Sequence, residues 1–70
     1  MKRVTIAAVN EALREAGIEA ELQGGRGYFY FVGPDVARAY TTSVMTPRVS
    51  GMTVEEWVAE ARRMAEESAR

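Results

Sequence analysis

The chain has no cysteine and no histidine, a single lysine, two prolines and only two phenylalanines among 70 residues. Without thiols or imidazoles there are no disulfide staples, no zinc-type centres and no Ser–His or Cys–His nucleophile pairs. A Ser–Lys dyad would have to use Lys2, close to the chain start. An excess of either charge is also missing: nine basic side chains face ten acidic ones, for a formal net charge of −1. That balance argues against a dedicated duplex-DNA binder, which neutralises phosphates with a clear basic surplus. No apolar run approaches the ~20 residues of a membrane span. The opening "MKRVTIAAVNEALREAG" begins with two basic residues but soon meets Asn10 and Glu11, so it reads as a helix and not as a signal peptide. A cytoplasmic protein without a membrane role is expected.

The length sets a second limit. Residues 1–70 make one small domain. A chain of this size buries roughly 60% of its unfolded surface, and natural examples often add disulfides, a metal or a partner chain. Cysteine is absent, and an oxygen-ligand metal site needs several carboxylates converging on a loop. Only Asp35 falls in a loop. No metal and no cofactor are expected, which leaves self-association: a homodimer is a candidate.

What is present is strong local patterning. Thr5 is suited to N-cap a helix over about Ile6–Ala16, with Val4 and Val9 at staple spacing. Ile6, Val9, Leu13 and Ala16 share one face, and Gly17 is placed to end the helix. In "IEAELQ", Ile18, Ala20 and Leu22 alternate with polar residues, a half-buried strand. "GGRG" reads as a hairpin loop and "YFYFV" as the returning strand. Gly33-Pro34-Asp35 is turn chemistry, and "YTTSVMT" (40–46) reads as a third strand stopped by Pro47. Thr53 and Glu56 form a T-x-x-E capping box, with Met52 and Trp57 as its staple. Val54, Trp57, Ala61, Met64 and Ala65 make the apolar stripe of the last helix. Arg62–Glu66 and Arg63–Glu67 are spaced as ion pairs, and residues 66–70 are expected to fray.

The expected fold is therefore α+β: an α-β-β-β-α chain, a three-stranded antiparallel meander with both helices on one face. Its core would be Ile6, Val9, Leu13, Ile18, Ala20, Leu22, Phe29, Phe31, Trp57, Ala61 and Met64. Tyr28 and Tyr30 would lie on the other sheet face with Glu19 and Glu21, exposed in the lone chain.

Chemistry-bearing patterns are few. Glu11 with Glu15, and Glu56 with Glu60, share helix faces and read as solvated surface, with a carboxylate hydrolase a distant possibility. Gly25-x-Gly27 fails as a dinucleotide fingerprint because Tyr30 stands at the third glycine position and a strand follows. No catalytic residue is assigned, and a non-enzymatic protein is expected. The suggestive feature is the tyrosine pair. Adjacent aromatics on an open sheet stack single-stranded bases in some domains, and Arg26, Arg38 and Arg48 offer phosphate contacts. Glu19 and Glu21 would oppose that. Tyrosines also anchor protein interfaces, or simply cover a neighbouring strand. The leading expectation is a protein-binding module whose contact surface is Arg26, Tyr28, Tyr30, Arg38 and Arg48; single-stranded nucleic acid is the alternative.

"GRGYFYFVG" (25–33), then "TSV" (42–44) and "MTVEEWVAEA" (52–61), resemble a group of short uncharacterised proteins encoded by phages and prophages. The resemblance spans roughly residues 10–62. Members often carry further aromatics after the S-V pair, where this chain has Met45-Thr46-Pro47. The resemblance implies a bacterial-cell setting, and a protein that binds and modulates a host protein such as a defence system. It implies no catalytic residues.

Overall fold

The first helix begins where Thr5 supplies an acceptor. Its hydroxyl takes the Ala8 N–H at 3.0 Å, and α1 runs Ile6–Glu15 in this computed structural model, which describes residues 3–70. Lys2 lies outside the described residues. Gly17, at φ +75°, closes the helix. Its N–H reaches Arg14 O at 3.1 Å and the Ile18 N–H reaches Leu13 O at 3.0 Å, the paired bonds of a Schellman ending. Local sequence thus determines both ends of α1.

Strand β1 is Glu21–Gly24 and pairs antiparallel with β2, Phe29–Val32, in the register Leu22↔Phe31 and Gln23↔Tyr30. Strand β3 is Ser43–Val44, and the sheet order is β1-β2-β3. Helix α2, Val54–Ser68, follows the expected capping box: Thr53 Oγ1 accepts from Glu56 N at 3.1 Å while Thr53 N donates to Glu56 Oε1 at 2.9 Å. Both helices pack on one side of the meander, so the chain is α+β in the order α-β-β-β-α.

The core lies between the layers. Val9 and Leu13 of α1, Leu22 and Phe31 of the sheet, and Trp57, Ala61 and Met64 of α2 are buried, with Ile18 joining from the α1–β1 connection. The Trp57 ring meets Phe29 and Phe31 edge-on, with centroids 5.6 and 6.1 Å away. Its Nε1–H donates to Val49 O at 2.8 Å, so the buried indole is satisfied by the loop that precedes α2. Ile6, Ala20 and Phe29, expected in the core, are only partly buried and pack against it.

Four features depart from the sequence reading. Val36, passed over as part of a turn, is buried in a short 3-10 turn at Pro34–Val36 that packs on α2. The third strand is shorter than residues 40–46. The Tyr40 N–H is drawn to Glu67 Oε1 and the Thr46 N–H bonds Val44 O at 3.0 Å, so the chain leaves the ladder at both ends. The segment expected to fray is helical through Ser68, whose buried hydroxyl accepts the Arg38 N–H at 2.9 Å. Arg63 pairs with Glu60 at 2.9 Å and with Glu67 at 3.8 Å, while Arg62 and Glu66 form no ion pair among the described residues.

Candidate interaction surface

The sheet has a core face and an outer face, and β-strand alternation sorts the residues. Phe29, Phe31 and Leu22 point to the helices; Tyr30 and Val32 of β2 and Tyr28 just before it, with Glu21 and Gln23 of β1 and Ser43 of β3, point away. No described element crosses this outer face. The Tyr28 and Tyr30 ring centroids stand 6.0 Å apart with planes tilted by 37°. Val32 adds an apolar side chain that is 40% exposed, and Met45, next after β3, is 80% exposed.

The two tyrosines are half-buried, not exposed as expected. The loop geometry explains this. Gly25 N–H bonds Tyr28 O at 2.9 Å, which sets the two residues opposite one another beneath an Arg26-Gly27 turn with Gly27 at φ +74°. The Tyr28 ring then lies over Gly25. A Cβ built there would come within 2.5 Å of the ring. An aromatic side chain thus shields the cross-strand glycine, and leans on Tyr30 as well. Glycine at 25 serves ring packing; glycine at 27 serves backbone conformation. Neither forms a phosphate cradle.

The three arginines are not gathered at this pair. Arg26 is exposed at the tip of the β1–β2 hairpin, beside the tyrosines in sequence and in space. Arg48 is exposed just before the 3-10 turn Val49–Gly51, which abuts Trp57 near the start of α2. Arg38 is exposed at the opposite end, held by its backbone to Ser68 in the last turn of α2. From Trp57 to Ser68 the helix rises roughly 16 Å at about 1.5 Å per residue. Arg38 and Arg48 therefore belong to different ends of the molecule. Of the five residues picked out in the sequence, Arg26, Tyr28 and Tyr30 form one surface.

The carboxylate pairs singled out in the sequence are engaged in caps and ion pairs or stand in solvent. Glu56 is committed to the Thr53 cap and Glu60 to Arg63, while Glu11 and Glu15 are both exposed on α1. Among the described residues, no cluster of three or more Asp and Glu side chains could hold a metal ion. An open groove of about 320 Å³ lies beside the α1–β1 connection, lined by Asn10, Arg14, Glu19 and Val32 among others. Asp35, in the 3-10 turn Pro34–Val36, is spent on structure: its Oδ2 accepts the Glu19 N–H at 2.8 Å. Among the described residues no helix is long and apolar enough to cross a membrane.

One residue that the sequence reading passed over shapes this end of the sheet. Asn10 projects from α1 to the free edge of β1, where its Oδ1 accepts the Leu22 N–H at 2.7 Å and its Nδ2 donates to Leu22 O at 3.4 Å. Its signal was a polar amide next to the apolar stripe of an amphipathic helix.

Comparison with family models, with curated proteins and with solved structures finds no match to this chain. Its function has to be argued from the surface itself.

Proposed function

We propose that this chain is a non-enzymatic protein-binding module that uses its outer sheet face, with Tyr28 and Tyr30 at the centre and Arg26 at the hairpin tip. The observation that carries this reading is the tyrosine pair: two adjoining rings, backed by Gly25, on a sheet face turned away from both helices among the described residues. Rings already half-packed lose little conformational freedom on binding, so more of the contact energy is kept. Val32 extends the apolar strip, while Glu21, Gln23 and Ser43 give it a polar border, the pattern of an apolar centre and polar rim. The resemblance to phage and prophage proteins makes a protein of the bacterial host cell the expected partner class, and modulation of that protein the expected role.

Single-stranded nucleic acid is the weaker fit. Base stacking needs a basic track beside the rings. Here Arg38 is at the far end of the molecule, and the exposed Glu21 shares the outer face with the tyrosines.

Affinity capture from bacterial lysate with the wild-type chain and a Tyr28→Ala/Tyr30→Ala double variant tests the reading. A partner retained by the wild type and lost by a folded double variant is the expected result. Recovery of the same partners by both proteins would overturn the surface assignment. Titration with fluorescent single-stranded oligonucleotides at two salt concentrations checks the competing reading: salt-sensitive micromolar binding would displace the proposal.

A further inference from the structure

Strand β3 has little of its own to hold it. It is the two-residue stretch Ser43–Val44, opposite Tyr30 and Phe29, where strands in folded proteins usually run about 3–10 residues. The chain before it, residues 37–42, joins neither helix nor strand. Within it Ala39 is partly buried against the core, while Ala37 and Tyr40 are exposed.

The support comes from α2. The Arg38 N–H donates to Ser68 Oγ at 2.9 Å and the Tyr40 N–H to Glu67 Oε1, both in the last turn of that helix. Two residues further on, Thr42 O accepts the Phe31 N–H at 3.0 Å. Residues 38, 40 and 42 are thus anchored in series, two of them on α2 and the third on the sheet.

The turn that provides these anchors is weak by itself. A helix C-terminus carries partial negative charge and favours Lys or Arg. The last turn of α2 has no basic residue and carries Glu66 and Glu67 instead. Among the described residues, the bonds to Arg38 and Tyr40 are the only hydrogen bonds made by the side chains of residues 65–70. Segment and helix end therefore order one another. Neither residues 37–44 nor residues 65–70 contribute a buried apolar side chain to the core, so both can open while the core stays packed.

We propose that the last turn of α2 is a latch on β3. Wound, it presents Ser68 and Glu67 to the segment and keeps β3 beside Tyr30. Unwound, it releases the Arg38 and Tyr40 N–H groups, and residues 38–44 leave β2 as one unit. Proteins open in such cooperative pieces at a cost below that of global unfolding. Ser43 is the β3 neighbour of Tyr30, so the end of α2 decides whether the tyrosine face keeps its β3 border. A contact that winds or unwinds residues 66–68 then regulates that face by an order–disorder change. This regulatory consequence rests on the proposed binding face; the coupled opening does not.

Amide hydrogen exchange followed by NMR on the full chain tests the latch without a partner. Ser68→Ala deletes one anchor. The Arg38, Tyr40 and Phe31 amides are expected to exchange roughly tenfold faster, by a common factor. The Leu22 amide, bonded to Asn10, is expected to keep its rate. Glu66→Lys places a cation on the exposed side of the last turn without touching the segment. It is expected to slow the same three amides by about two- to fivefold, and carries the test if Ser68→Ala does not fold. Acceleration confined to Arg38, a Leu22 rate that rises by the same factor, or a Phe31 rate indifferent to Glu66→Lys would each overturn the proposal. Partner capture through Tyr28 and Tyr30 is a separate measurement, so failure of the binding-face reading would leave these rates unchanged.

Discussion

Replacing Asn10 by alanine removes a clamp whose cost can be worked from the structure. Two bonds disappear, Leu22 N–H to Oδ1 at 2.7 Å and Nδ2–H to Leu22 O at 3.4 Å. Leu22 is 1% exposed and sits in the centre of the core, so the backbone groups left behind on the β1 edge are poorly reached by water. An orphaned group of this kind costs about 1–3 kcal/mol, and the shorter bond supplies most of it here. A domain of 70 residues has a total stability of roughly 4–10 kcal/mol at about 0.05–0.15 kcal/mol per residue. A loss of ~2 kcal/mol is therefore a large fraction, and corresponds to a fall of roughly 8–16 °C in Tm for a domain this small. Thermal and urea unfolding followed by circular dichroism give the number. Hydrogen exchange at the Leu22 amide gives the mechanism, because that N–H should open faster in Asn10→Ala. Asn10→Asp retains an acceptor for the N–H and loses the donor to the carbonyl, so it should fall between wild type and alanine. A variant within about 0.5 kcal/mol of wild type, below the typical net worth of one hydrogen bond, or unchanged Leu22 exchange, would refute the clamp.

Two further substitutions probe close contacts. Gly33 has φ +140°, and a Cβ there would stand 2.6 Å from Glu19 O and 2.9 Å from the Ala20 Cα, both backbone. Gly33→Ala should therefore cost several kcal/mol, at the upper end of single-site effects, and leave little cooperative unfolding; a normal melting curve would refute the close approach. Trp57→Phe keeps an aromatic ring against Phe29 and Phe31 but loses the Nε1–H bond to Val49 O and part of the ring volume. A loss of about 2–3 kcal/mol in urea unfolding is expected, and a near-neutral result would mean the loop at Val49–Gly51 is not held by the indole.

How much of this was legible in the sequence depends on the range of the contact. Thr5, Gly17, Thr53 and Glu56 were readable because caps join residues three to five positions apart. The phase of β1 and β2 was readable because one core can accept only one face of the alternation. Val36 was missed because turn residues around it hid a single apolar side chain. Ser68 was missed because it continues the α2 stripe of Trp57, Ala61 and Met64 with a polar side chain. The candidate surface was legible in part. The tyrosine pair and Arg26 lie together, but the two further arginines were grouped with them on charge alone, and charge carries no information about position.

By itself the sequence determined where both helices begin and where the first one ends, the order α-β-β-β-α and the one-sided core, because those follow from capping groups, glycines and short periodicities. Only the tertiary structure decided that Asn10 closes one sheet edge from 12 residues away, that Ser68 holds Arg38 across 30, and that Tyr28 folds over Gly25. Such contacts depend on which segments the packed layers bring together. The same packing withdrew Arg38 from the tyrosines and left their two rings half-covered on the outer face of the sheet.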